Sequence, residues 1–95
     1  MRPELFAEVV LYETGGREGP MVGEGYKCPC KLQSADQKAN DCKILLNGVP
    51  LWLGKPRKVG FVFSSPDTAA IFKAARKFYL CESEVIIGEA VVIPS

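Results

Sequence analysis

The sequence predicts an all-β domain: a small closed or nearly closed antiparallel β-barrel of six or so strands with one short inserted helix. Three observations lead to this fold class. Short segments of strand-favouring residues recur along the chain, and turn signals built from Gly, Pro and Asn separate them. A single segment, near residues 65–77, has the pattern of a helix. At 95 residues, the chain is the size of one domain, so we predict one barrel over 1–95.

The first strand is predicted over residues 4–12. Its residues alternate, and we expect Leu5, Ala7, Val9 and Leu11 to form the face toward the core. The segment 14–20 contains three Gly and one Pro, which indicates a loop.

The second strand is predicted over Tyr26 to Leu32, where Tyr, Cys, Cys and Leu alternate with Lys27, Pro29 and Lys31. Proline cannot donate a backbone hydrogen bond, so Pro29 places this strand at an edge or a bulge. Short strands are then predicted over residues 42–46, 51–53, 59–63, 78–82 and 85–93. Asn47-Gly48 and Ser83-Glu84 are the tight turns among them.

The helix is predicted from its start signals. Ser65 can cap the first turn, Pro66 suits the first helical position, and Asp67 suits the positive end of the helix dipole. Good helix formers follow, with basic residues toward the C-terminal end.

Charge is unevenly distributed along a chain whose net charge is +1. Residues 1–24 hold two Arg and five Glu, residues 25–81 hold ten Lys or Arg and three Asp, and residues 82–95 hold three Glu. If the two acidic ends pair as neighbouring strands, the basic middle could form one face. The alternative, which we favour, is that the charges intersperse in three dimensions.

Four cysteines raise the question of a metal site: Cys28, Cys30, Cys42 and Cys81. The one-residue spacing and the absence of histidine fit tetrahedral zinc poorly, so core packing is the better interpretation and we expect no metal and no cofactor. No secretory signal or apolar membrane run is visible, so we expect a cytoplasmic protein with reduced thiols and no membrane partner.

Catalytic chemistry has little support. Without histidine, the commonest general base and any Cys–His nucleophile pair are missing. No Gly-x4-Gly-Lys-Ser/Thr loop is present, so we expect no GTP binding by this chain alone and no enzyme activity.

Basic and aromatic residues remain as binding candidates. Lys55, Arg57 and Lys58 form the sharpest basic cluster, although a charged turn is usually only solvated. Trp52 could be a stacking platform, but a lone Trp between two Leu is more often partly in the core. Gly15-Gly16 could form an anion-binding nest, although a conformational role is favoured.

The order of several motifs resembles the C-terminal β-barrel of elongation factor Tu and related translational GTPases. Phe6-Ala7-Glu8-Val9 and then Thr14-Gly15-Gly16-Arg17 look like that domain's first strand and Gly-Gly-Arg loop. Tyr26-Lys27-Cys28-Pro29 resembles its Tyr-Arg-Pro strand, and residues 51–56 resemble the approach to its Pro-Gly-Asp turn. Residues 78–92 resemble the closing hairpin. The resemblance covers nearly the whole chain.

The resemblance implies a detached barrel that binds a partner, with Gly15, Gly16, Arg17 and Glu82 as binding residues. In the family, the closing hairpin carries a Glu followed by a second Gly-Gly-Arg, and this corner lies along the contact with transfer RNA. Here Glu82 is kept, but residues 83–85 are Ser, Glu and Val.

The helix looks like an insertion, and its Lys73 and Arg76 are candidates for docking a protein. A protein partner is therefore our first expectation. RNA binding through Lys55, Arg57 and Lys58, connected with translation, is the alternative.

Overall fold

The chain forms a closed six-stranded antiparallel β-barrel with one helix, as predicted. The structure is a computed structural model, and it describes residues 2–23, 26–33, 35 and 38–94. In chain order the elements are β1 (Leu5–Leu11), β2 (Tyr26–Lys31), β3 (Asn40–Leu45), β4 (Arg57–Phe63), α1 (Pro66–Ala75), β5 (Lys77–Glu82) and β6 (Val85–Val92). Within the described residues, no helix has the length and apolar character needed to cross a membrane.

The barrel closes because β1 pairs with strands on both of its sides. The strand order is β1-β4-β3-β2-β5-β6, and β1 also pairs with β6, from Ala7 opposite Val92 to Leu11 opposite Gly88. The two acidic chain ends therefore pair as neighbouring strands, which is the arrangement that a single basic face would need. The strands from the basic middle segment form the rest of the wall.

The core follows the period-two alternation of the strands. Leu5, Ala7, Val9 and Leu11 are buried, which confirms the core face predicted for β1. Close approach of β6 to β1 needs a glycine: a Cβ added at Gly88 would lie 2.5 Å from the carbonyl oxygen of Val10.

The helix covers one end of the barrel. The Ser65 side chain accepts a hydrogen bond from the backbone N–H of Thr68 at 3.2 Å, so the predicted cap is present. Phe72 is fully buried, and its ring lies 4.9 Å from that of Phe63 and 5.1 Å from that of Phe78. This aromatic contact attaches the helix to the barrel.

The helix ends earlier than predicted. Arg76 has a φ of 68°, so it lies in the left-handed region and terminates α1 at Ala75. Lys77 is already the first residue of β5. Arg76 therefore lies at the corner between helix and strand instead of on a helix face.

Two further predictions need correction. The sequence placed Pro29 at an edge or a bulge. In the closed barrel β2 has neighbours on both sides, so the edge is wrong, whereas the neighbouring β5 has a bulge or irregularity between Leu80 and Cys81. The lack of an N–H at Pro29 is tolerated because the pairing of β2 with β5 begins only at Cys30. Residues 51–53 do not form a regular strand: Leu51 and Leu53 make isolated bridges to Met21 and Leu11.

Candidate binding surfaces

The loop between β1 and β2 carries Arg17, whose guanidinium connects separate parts of the barrel. Its Nη1 donates to the hydroxyl of Tyr26 at 2.7 Å and to the carboxylate of Glu82. Its Nε and Nη2 donate to the backbone carbonyls of Gly19 at 3.1 Å and Pro20 at 3.0 Å. The Tyr26 hydroxyl donates to the same Glu82 oxygen. Two predicted site residues, Arg17 and Glu82, thus meet, and both are engaged inside the fold.

The environment of this cluster is partly desolvated. The Arg17 and Glu82 side chains are 18% and 30% exposed, and the Arg17 guanidinium carbon lies 5.4 Å from the Tyr26 ring centre. Burial, followed by the hydrogen bond with Glu82, raises the pKa of Tyr26. These three side chains hold the loop against β2 and the β5–β6 hairpin.

The two glycines of this loop have different roles. Gly15 has a φ of +80°, which favours glycine, and no atom lies near the position of a Cβ. A Cβ at Gly16 would lie 3.0 Å from the Ile87 Cα, so Gly16 permits the loop to pack on β6. This geometry supports the conformational interpretation of the pair.

Arg57 is turned toward the backbone of the preceding turn. Its Nη1 donates to the carbonyls of Val49 at 2.7 Å and Pro50 at 3.1 Å, and its Nη2 donates to that of Leu46 at 2.5 Å. A planar guanidinium suits such a set of acceptors because its donors are fixed in a fork. Arg57 therefore holds the turn that contains Asn47 and is not a free cation.

The predicted cluster of Lys55, Arg57 and Lys58 is not a single basic surface. The Lys58 ammonium lies 4.8 Å from the centre of the Phe6 ring, on the outer face of the barrel. Lys55 lies elsewhere, beside Trp52 in a surface groove. Lys55, Arg57 and Lys58 are close in sequence, but their side chains lie in three different environments.

The two helix candidates also separate. Lys73 is exposed and lines a groove of about 280 Å³ with Phe6 and Lys58. Arg76 is exposed at the helix terminus, next to Lys77.

An apolar surface lies at the end of the barrel opposite α1. The sequence did not predict it, because Trp52 was expected to lie partly in the core. We call Pro20, Val22, Val49, Pro50 and Trp52 the tryptophan patch. The backbones of Met21 and Leu51 exchange two hydrogen bonds of 2.9 Å, and both of these side chains are buried. This antiparallel bridge places Pro20 beside Trp52 and Val22 beside Pro50, all on the outer side.

Trp52 is 55% exposed, so its ring is outside the core that the flanking leucines had suggested. Val22 and Val49 are 54% and 53% exposed. A groove of about 300 Å³ lies along Pro20 and Trp52, with Glu18 and Lys55 among its lining residues.

A second surface was missed because it depends on strand register. Lys27 of β2 lies directly opposite Lys43 of β3, and Lys31 lies opposite Tyr79 of β5. We call Lys27, Lys31, Lys43 and Lys77 the lysine strip. The alternation in β2 already placed Lys27 and Lys31 on one face, but no sequence signal indicated which residues would lie opposite them.

The four cysteines are buried free thiols, and Cys28, Cys30 and Cys42 belong to the hydrophobic core. The Cys42 thiol donates to the carbonyl of Cys28 at 3.0 Å, and the Cys28 thiol donates to that of Cys81 at 3.4 Å. Burial raises the pKa of Cys28, Cys30 and Cys81, so these groups stay protonated thiols at neutral pH. Among the described residues, no group of three or more His, Cys, Asp or Glu side chains is arranged to hold a metal ion.

Comparison with known proteins adds no relative. No protein-family model matches the chain, and no curated protein matches it. The resemblance to the C-terminal barrel of elongation factor Tu therefore stays a prediction from the motifs.

Proposed function

We propose that this chain is a non-catalytic binding module whose tryptophan patch docks a protein partner. The observation that supports this function most is the exposed indole of Trp52, which is 55% accessible. Val22 and Val49, close in sequence to the Met21–Leu51 bridge, are exposed to a similar degree. Clustered exposed apolar residues mark interaction sites on small domains, and Trp is among the residues most enriched at binding hot spots.

The surroundings of the patch favour a protein over a polyanion. Glu18 and Lys55 line the same groove with opposite charges, so the patch has no strong charge preference. Its apolar wall, formed by Pro20 and Trp52, suits an apolar side chain of a partner, with the two charged groups at a polar rim. We therefore expect a partner that inserts one apolar side chain beside the indole.

The motif resemblance implies a binding module, but it does not point to the tryptophan patch. A closed six-stranded barrel is the fold that the resemblance predicts, and Arg17 of the Gly-Gly-Arg loop contacts Glu82 of the closing hairpin. Both residues are committed to internal contacts, which leaves a different surface for docking.

Site-specific photocrosslinking can identify the partner. A benzoyl-phenylalanine is placed at position 52 or, as a matched control, at position 71, because Trp52 and Ile71 are both 55% exposed. After irradiation in native extract and nuclease treatment, we expect one discrete protein adduct from position 52 and none from position 71. An adduct made only with a second copy of this chain would replace the proposal by self-association.

The captured protein must then bind in purified form. We expect Trp52→Asp to weaken binding by about 30-fold or more, since a hot-spot residue contributes about 2 kcal/mol or more. Ile71→Asp should leave the Kd within about 2-fold. If Lys73→Ala with Arg76→Ala abolishes binding while Trp52→Asp does not, the helix is the docking surface and the proposal is wrong.

A further inference from the structure

Two lysines face each other across the middle of the barrel wall. Lys27 and Lys43 are directly opposite in the register of β2 and β3. Opposite residues in an antiparallel pair have Cβ atoms about 4.5–5.5 Å apart, and like charges at such positions are destabilising. Both lysines line a groove of about 280 Å³ on the outer surface, together with Asp41 and Ser64. The register thus places two lysines of like charge directly opposite each other, at a cost in stability.

The positive charge continues along the same face. Lys31 is four residues beyond Lys27 on β2, about 13 Å away at about 3.3 Å per residue. Lys31 is opposite Tyr79, and the Lys77 ammonium lies 5.5 Å from the centre of the Tyr79 ring. The result is a line of cations with an aromatic ring beside it.

Few carboxylates neutralise this line. Over the described ranges, the ion pairs are Arg17–Glu82 and Lys77–Glu89. Neither includes Lys27, Lys31 or Lys43. Asp41 lies opposite Pro29 at the border of the groove and partly offsets the charge. Three cations of the strip thus make no ion pair with the described acidic residues.

We propose that the lysine strip binds the phosphate backbone of a single-stranded nucleic acid. The strip runs along β2, with Lys43 and Lys77 on the neighbouring strands β3 and β5, and a narrow line of this kind suits a flexible linear polyanion better than a rigid duplex. Tyr79 adds an aromatic ring of the kind on which bases stack in such sites. This site and ligand are separate from the tryptophan patch, so the chain would connect a nucleic acid to a protein.

Fluorescence anisotropy with a labelled twelve-nucleotide oligouridine tests the site directly. We expect a Kd in the micromolar range at low salt and a steep loss of affinity as salt rises. Lys27→Gln with Lys43→Gln should weaken binding by about 10-fold or more and flatten the salt dependence. Lys58→Gln with Lys73→Gln removes the same charge from another face and should change the Kd by less than about 2-fold.

Folding and specificity are checked in the same experiment. Thermal unfolding of both double variants shows whether a lost signal reflects unfolding, and Trp52→Asp should bind the oligonucleotide as the parent chain does. Equal losses from the two double variants would show nonspecific attraction and overturn the site. So would a duplex, polyglutamate or an anionic vesicle that binds the strip more tightly than the oligonucleotide. Failure here leaves the proposed protein docking intact, because that test uses position 52.

Discussion

Lys27 and Lys43 occupy directly opposite positions on β2 and β3, where a pair of like charges opposes the pairing of the strands. Two other cross-strand contacts between charged residues join opposite charges. Glu8 faces Lys58 across β1 and β4, and Lys77 pairs with Glu89 across β5 and β6. The lysine pair therefore stands out as a local conflict, and conflicts of this kind are expected at binding sites.

Replacing one of these lysines with an acid should stabilise the fold. Lys43→Glu converts the like pair into an opposite pair, and we expect the free energy of unfolding to rise by about 0.5–1 kcal/mol. Urea unfolding of the parent chain and the variant measures this difference in free energy. Lys58→Glu is the control. It converts the opposite-charge pair of Lys58 and Glu8 into a like-charge pair, so it should lower the free energy of unfolding by a similar amount. Stabilisation by both substitutions would mean that overall charge, not the register, is the cause.

Arg57 should matter for stability far more than its neighbour Lys58. Arg57→Ala removes the guanidinium donors from the carbonyls of Leu46, Val49 and Pro50. Within the described part of the chain, only the Leu46 carbonyl keeps another donor, the Val49 N–H, so we expect a loss of about 1.5–3 kcal/mol in the free energy of unfolding. Lys58→Ala removes only an exposed contact with Phe6 and should cost less than about 1 kcal/mol. Chemical denaturation of both variants tests the difference, and equal losses would contradict the role given to Arg57.

The fold could be predicted because each strand carries its own pattern. The alternation of β1, the Asn47-Gly48 turn and the Ser65-Pro66 helix start are all local signals, and all three are present in the structure. Asn47 and Gly48 have φ values of 55° and 76°, and the Val49 N–H donates to the Leu46 carbonyl at 3.1 Å, as in a tight turn with two left-handed central residues. The end of the helix was missed because Arg76 takes a left-handed conformation that no local residue signal indicates.

The candidate surfaces could be predicted only in part. Arg17 and Glu82 were chosen as binding residues, yet they meet each other across 65 positions of sequence. Lys55, Arg57 and Lys58 looked like one cluster because they are sequence neighbours, but strand and turn geometry send them to different places. The Lys27–Lys43 pair could not be predicted, because the two residues are far apart in sequence and only the register of β2 on β3 places them opposite each other.

The β5–β6 turn offers a stabilising substitution. Ser83 and Glu84 both have positive φ values, 48° and 69°, although neither is glycine. A left-handed conformation costs a residue with a Cβ about 1 kcal/mol, so Glu84→Gly should raise the free energy of unfolding by about that amount. Thermal unfolding measures the gain. Glu18→Gly is the control, since Glu18 is an exposed loop residue without a positive φ, and the same change there should not stabilise the chain.

The buried thiols should make stability depend on alkaline pH. Burial raises the pKa of Cys28 and Cys30, whereas thiols of an unfolded chain titrate near about 8.5. Below that pH both states keep their protons, so these groups add no pH dependence. Above it the unfolded chain releases protons that the folded chain retains, so stability falls by about 1.4 kcal/mol per pH unit for each thiol.

Urea unfolding between pH 7 and 9.5, with a phosphine reductant present, measures this slope. Cys28→Ala with Cys30→Ala should be less stable at pH 7, because both side chains are in the core. Its stability should also fall less steeply above pH 8.5. Parallel pH profiles for the parent chain and the variant would show that other groups control the alkaline transition.

The Arg17 and Glu82 side chains should be energetically coupled in the folded protein. Arg17→Met removes donors from the Glu82 carboxylate, the Tyr26 hydroxyl and two loop carbonyls, and we expect a loss of about 1.5–3 kcal/mol. Glu82→Gln keeps the shape but removes the charge that Arg17 faces. In a double-mutant cycle the two losses should fall short of additivity by about 1 kcal/mol or more, because both substitutions remove the same contact.

Tyr26→Phe provides the internal check of that cycle. It leaves the Arg17–Glu82 ion pair in place and removes only the hydroxyl between them, so its loss should be smaller than that of Arg17→Met. Additive losses for Arg17→Met and Glu82→Gln would mean that the two side chains act independently. The Arg17 contribution would then come from its bonds to Tyr26 and to the Gly19 and Pro20 carbonyls, and the proposed role of the Glu82 contact in holding the loop would be wrong.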